Sequence, residues 1–148
     1  MKTDYSVQGT WIGIVTGIVL AVFLKIVQAV TGLKVYTLLL NVDYIPVIKE
    51  YAFPESIEVF FHLIISVVLC VILVVFYRKS TGFIRSHVIL FVFLVNIAIG
   101  FLLYPTTSFS DRTPSAGDPL SLFWWIAGHG LYGFLAGVLM RRQTLKLK

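Results

Sequence analysis

The chain has 148 residues, 58% of them hydrophobic and 13% charged, with a formal net charge of +5 and a mean hydropathy of +0.92. A soluble domain is nearer a quarter charged, so this composition excludes an ordinary soluble globule and leaves room for a single membrane domain over 1–148. The basic excess forms no stripe interleaved with aromatics, so the lipid bilayer, and no nucleic acid, is the expected partner.

Four apolar stretches dominate the chain, at about 9–32, 56–77, 83–104 and 119–140. At ~1.5 Å rise per residue, about 22 residues make ~33 Å of helix, which matches a ~30 Å hydrocarbon core. The predicted fold class is all-α: a polytopic integral membrane protein, built as a four-transmembrane-helix bundle.

The first stretch carries Gly9, Gly13 and Gly17 as GxxxGxxxG, then Lys25 and Gln28. A cleaved signal peptide competes for this stretch. Its length, the lysine inside it and the lack of a small-x-small cleavage site argue against cleavage. Segment 34–55 is half apolar and broken by Pro46 and Pro54, with room for a short helix at the outer surface. The second stretch contains Glu58, His62 and the single cysteine, Cys70, which excludes intramolecular disulfides and cysteine-rich metal sites. Cys70 reads as a small buried apolar residue.

The third stretch carries Asn96 and ends at Pro105, with His87 beside Arg85 at its start as an interfacial residue. A polar, turn-rich loop over 106–117 follows. Asp118-Pro119 then signals a helix start: an acceptor side chain at the cap, followed by proline where no amide donor is needed. The fourth stretch contains His129 and the GxxxG pair Gly133 and Gly137.

Charge orders these helices across the bilayer. Lys2, Arg78, Lys79, Arg85, Arg141, Arg142, Lys146 and Lys148 fall on one side of an alternating bundle, against Lys34, Lys49 and Arg112 on the other. That bias places both termini in the cytoplasm. The acids Asp43, Glu50, Glu55, Glu58, Asp111 and Asp118 sort to the outer side, and Asp4 to the inner. Trp124, Trp125, Tyr104, Tyr51 and Phe53 read as outer interface markers, and Trp11, Tyr5 and Tyr77 as inner ones.

Depth counting brings polar residues of all four helices into one outer-half layer. His62 lies ~9 Å and His129 ~15 Å below the outer helix ends, Lys25 ~10 Å and Asn96 ~12 Å. Gln28 and Glu58 are shallower on the same side. Gly17, Ala21, Lys25 and Gln28 share a helical sector of about 80°. Glu58 and His62 are one turn apart on one face. Ionisable groups inside a membrane usually face the bundle interior and pair, so Lys25 is expected to pair with Glu58. The cluster Lys25, Gln28, Glu58, His62, Asn96 and His129 then binds a small ligand or responds to protons, with the histidines titrating near neutral pH.

Blander and sharper alternatives stand beside this one. Intramembrane polar residues also glue helices together, and Lys25 or Glu58 can snorkel to the interface. Two histidines at similar depth can be axial haem ligands, or join Glu58 around zinc. The preferred reading has no cofactor and no metal. The glycines read either as packing within the monomer or as the interface of a homo-oligomer or membrane-protein complex. No glycine-rich phosphate loop, nucleophile elbow or HExxH occurs, so no catalytic residue is assigned and a non-enzymatic role is expected.

Over about 57–142 several features recur in a set order: His62 early in the apolar run FHLIISVVLCVILVVFY, Leu103-Tyr104-Pro105 closing the third helix, and Thr113-Pro114 in the next loop. Gly128-His129 and Arg141-Arg142 complete the series. This order resembles the YagU-like family of small bacterial inner-membrane proteins. The resemblance implies a multi-pass protein of the bacterial plasma membrane, with family histidines at His62 and His129, and implies no particular reaction. The chain departs from the family in its shorter first outer loop, which lacks a proline- and arginine-rich insertion. It also has Asn96 near where some members carry a histidine.

Overall fold

The computed structural model describes residues 5–42, 51 and 53–145, with residues 144 and 145 described by backbone alone. The break expected at Pro46 and the charges at Lys2, Asp4, Asp43, Lys49, Glu50, Lys146 and Lys148 lie outside the described residues. Among the described residues there is no strand. In chain order the helices are α1 (Tyr5–Thr31), α2 (Val35–Leu40), α3 (Glu55–Lys79), α4 (Gly82–Ser86) and α5 (Val88–Leu103). A 3-10 segment (Tyr104–Phe109) and α6 (Pro119–Leu145) follow. Four of these segments are long and apolar enough to cross a membrane: Tyr5–Thr31, Glu55–Lys79, Val88–Phe109 and Pro119–Gln143.

Local chemistry sets the helix ends. Gly32, at φ +76°, closes α1 by donating its N–H to Gln28 O at 2.9 Å, an αL cap that an L side chain would strain. Helix α3 opens with Glu55 and Glu58 in its first turn and closes with Arg78 and Lys79 in its last, charges that complement the helix dipole at both ends. Asp118 caps α6, its carboxylate accepting from Leu120 N at 3.0 Å and from Ser121 Oγ. The third membrane segment does not run unbroken from residue 83. His87 leaves helical geometry at ψ 37° and separates α4 from α5. Ser86 Oγ bonds back to Phe83 O there, a local alternative to the helical ladder.

The helices pack in the lateral order α3, α1, α6, α5, with α2 laid across one end of the bundle against α1, α3 and α6. Two glycine seams let backbones approach closely. A Cβ on Gly9 would lie 2.5 Å from Val71 Cα and one on Gly13 2.6 Å from Val67 Cα, both on α3. One on Gly17 would meet Ser66 Oγ at 2.8 Å. On the other side, Gly133 and Gly137 of α6 face Phe93 and Ile89 of α5, at 2.9 and 2.7 Å from their Cα atoms. These five glycines are therefore occupied inside one chain. Helices α3 and α5 form no comparable seam. They meet at the end away from α2, where Phe76 stacks on Phe91 with ring centroids 5.5 Å apart.

The loop after α5 is tied rather than free. The Thr107 hydroxyl bonds Pro114 O, and the Thr113 hydroxyl bonds Thr107 O at 2.9 Å. Tyr104 donates its hydroxyl to Asp118 O at 3.0 Å. This fold-back carries Arg112 over the start of α3.

Candidate functional site: a polar-floored cavity between α3 and α5

The unseamed gap between α3 and α5 holds a half-open cavity of about 100 Å³ near the α2 end. Helix α3 contributes His62, Ser66 and Leu69, α5 contributes Asn96 and Ile99, and α6 contributes Trp125, His129 and Tyr132. Leu20 of α1, residues of α2 and Thr106 close the remaining walls. His62, Asn96 and His129 thus share one site, and all three are buried, Asn96 at 1% exposure.

Each of these side chains is anchored to main chain. His62 Nε2 lies 3.1 Å from Gly17 O, across the glycine seam. Asn96 Nδ2 donates to Val92 O at 2.9 Å, and His129 Nδ1 lies 3.0 Å from Trp125 O. Trp125 Nε1 donates to Gly100 O at 2.9 Å, and the Trp125 and His129 rings are 4.4 Å apart by centroid. Beside the cavity runs a buried polar chain. Ser66 Oγ donates to Gly13 O at 2.7 Å, Tyr132 Oη lies 2.8 Å from Ser66 Oγ and 3.1 Å from Cys70 Sγ, and Thr16 Oγ1 is 3.9 Å from that sulfur. The chain links α1, α3 and α6.

The other three residues of the predicted cluster lie elsewhere. Lys25 does not pair with Glu58. It bonds Glu55 Oε1 at 2.6 Å, with both side chains more than half exposed. Its long stem reaches the carboxylate at the helix end, whereas Glu58 sits one turn deeper. Glu58 is buried, its side chain 6% exposed, and bonds the Arg112 guanidinium at 3.1 Å through both terminal nitrogens. Gln28 caps α2, its Oε1 accepting from Tyr36 N and Thr37 N at 3.0 Å each. Burial, followed by its hydrogen bond to Glu55, pushes the Tyr36 phenol above its ordinary range.

Three interface markers also turn inward. Trp125, Tyr104 and Tyr77 are buried, while Trp11, Tyr5 and Tyr51 stay exposed. Sequence reasoning missed Ser66, Trp125 and Tyr132 as site residues. A signal for them was present: Glu58, His62, Ser66 and Cys70 follow one another at four-residue spacing, and Trp125, His129 and Tyr132 at four and three, each series on one helical face.

Among the described residues no three His, Cys, Asp or Glu side chains converge as a metal set, so His62, His129 and Glu58 do not form the zinc group weighed above. A water molecule claims ~30 Å³ of liquid, and a cavity of ~150 Å³ takes benzene. The space beside His62 and His129 therefore suits a few waters or a small head group, and a porphyrin would require the helices to part. Comparison with protein families, with curated proteins and with solved structures finds no match to this chain.

Proposed function

We propose that this small multi-pass membrane protein is non-enzymatic and that the cavity between α3 and α5 binds a small membrane-soluble ligand. The observation that carries the reading is the convergence of His62, Asn96 and His129, from three helices, on one half-open cavity with apolar side walls. Sites of this kind, mostly apolar with a few placed polar groups, are where small molecules bind between helices. Both termini are assigned to the cytoplasm by the basic bias, and the α2 end to the outer side. The ordered features from His62 to Arg142 support a YagU-like protein of the bacterial plasma membrane.

The test is native mass spectrometry of protein released from bilayer nanodiscs, wild type beside Ser66→Phe, which fills the cavity. Wild type should retain an added mass that Ser66→Phe loses, with unchanged helix content by circular dichroism. A bare wild-type chain under conditions that preserve bound amphiphiles would sink the reading. A proton response is the companion reading, favoured by the two histidines, and predicts pH-dependent retention of the same mass. A scaffolding role would use a surface other than the glycine seams, which are filled within the monomer.

A further inference from the structure

Most of the polar lining of the cavity has one chemical sense. Four of the residues that wall it spend donors on main-chain carbonyls: Ser66 Oγ on Gly13 O, Asn96 Nδ2 on Val92 O, Thr106 Oγ1 on Leu103 O and Trp125 Nε1 on Gly100 O. Tyr132 spends its proton on Ser66. A carbonyl oxygen only accepts, so His62 carries its proton on Nε2, facing Gly17 O, and His129 on Nδ1, facing Trp125 O. In a neutral imidazole the other nitrogen is then a bare lone pair. Among the described residues, His62 Nδ1, His129 Nε2 and Asn96 Oδ1 bond no protein group. None of the three is among the sealed side-chain atoms without a hydrogen bond among the described residues. These acceptors belong to three buried residues that line one space, which the Asn41 amide also lines.

Charge and access narrow the occupant further. Among the described residues no carboxylate lines the cavity; Glu58, the nearest buried acid on α3, is turned to Arg112. A cation would enter without a counter-charge, which a low-dielectric site penalises heavily. The rim is apolar and faces outward: Ile65 of α3 is 55% exposed and Leu103 of α5 is 44% exposed. The way in therefore opens sideways between two helices, toward lipid. A volume of about 100 Å³ admits a head group and leaves the rest of an amphiphile outside.

We infer that the occupant is an uncharged amphiphile with a hydroxyl head, entering from the bilayer between α3 and α5 and donating its O–H to the acceptor set of His62, Asn96 and His129. This inference rests on the ligand-binding reading above and adds the polarity of the ligand. The apolar remainder lies along Ile65, Leu69, Ile99 and Leu103. The hydroxyl class covers aliphatic alcohols and phenols, which offer the same donor.

The experiment compares two photoreactive probes on the wild-type protein in phosphatidylcholine nanodiscs: a long-chain alcohol with a mid-chain diazirine, and its methyl ether. They share the same chain and differ in the single donor proton. Labelled residues are mapped by mass spectrometry, with lipid-facing Ile72 and Phe134 as loading controls. The alcohol should label the rim around Ile65, Ile99 and Leu103 roughly fivefold more than the ether, the ratio of one hydrogen bond. A phenol of matched chain should compete with the alcohol. Equal rim labelling by both probes would overturn the donor assignment and leave the cavity reading standing. Rim labelling by neither, with controls labelled, would overturn both and assign the cavity to water. Asn96→Leu should bring the alcohol-to-ether ratio toward one; an undiminished ratio would remove Asn96 from the acceptor set.

Discussion

Replacing Gly13 with alanine should loosen the whole α1–α3 seam. The added Cβ would sit 2.6 Å from Val67 Cα and 2.8 Å from Ser66 O, both main-chain atoms that no rotamer change can move. Carbon contacts are comfortable at about 3.5–4 Å, so α1 and α3 must separate by about 1 Å. The Ser66 Oγ bond to Gly13 O, now 2.7 Å, would stretch to roughly 3.7 Å and cease to be a hydrogen bond. Overpacking typically costs about 1–3 kcal/mol, and a lost interhelical bond adds about 0.6. The better helix propensity of alanine returns up to about 1. A net loss of about 1–2 kcal/mol is expected, read as a lower unfolding midpoint in mild detergent. Gly137→Ala, 2.7 Å from Ile89 Cα, should behave alike on the other seam. Gly117→Ala, whose nearest neighbour is 3.9 Å away, is the neutral control. If Gly13→Ala and Gly137→Ala unfold no earlier than Gly117→Ala, the close-approach argument fails.

Arg112→Ala should destabilise by roughly 1.5–3 kcal/mol, toward the lower end because Arg112 is half exposed while Glu58 is left buried without this ion-pair partner. Adding Glu58→Gln should restore most of that loss, whereas Lys25→Ala should leave the unfolding midpoint unchanged. Gly32→Ala should cost about 1–2 kcal/mol through φ alone, since nothing lies within 4 Å of the added Cβ; an unfolding midpoint equal to wild type would contradict this. The Asp118 carboxyl is held below the usual carboxylate range, chiefly by the Ser121 hydroxyl and then by main-chain N–H groups. Its contribution to the start of α6 is therefore complete above an unfolded pKa near ~3.9 and is lost as pH falls through the lower folded value. Hydrogen exchange at Leu120 and Leu122, corrected for intrinsic rate, should rise in that acid window in wild type and lose its pH dependence in Asp118→Ala.

The helices were legible in the sequence because a membrane span is set by length and apolarity alone. His62, Asn96 and His129 could be brought to one layer because depth and face follow from the rise and turn of a helix. Lys25, Gln28 and Glu58 could not be placed that way. Their partners are Glu55 at a helix end, the first amides of α2, and Arg112 on a loop folded back by Thr107 and Thr113. No periodicity encodes those. Trp125 was misread for a related reason: aromatic residues near helix ends favour the interface on average, and only the neighbouring Gly100 carbonyl, on another helix, shows that this indole faces inward.

The same packing rules explain why the cavity persists. In lipid no hydrophobic force drives helices together, so they close where small residues permit contact and stay apart where they do not. Gly9, Gly13 and Gly17 close α1 on α3, and Gly133 and Gly137 close α5 on α6. Across the remaining gap stand Ile65 and Leu69 on one side and Ile99 and Leu103 on the other, with no glycine to let the backbones meet. On the proposed donor assignment, closing it would also cut the His62, Asn96 and His129 acceptors off from the occupant's O–H, each at roughly 1–3 kcal/mol. Bulk at the rim and lone pairs on the floor therefore oppose collapse together. A chain that needed only packing could have satisfied this position with leucine, and the two glycine seams hold rigid the walls of a space that its polar floor keeps open.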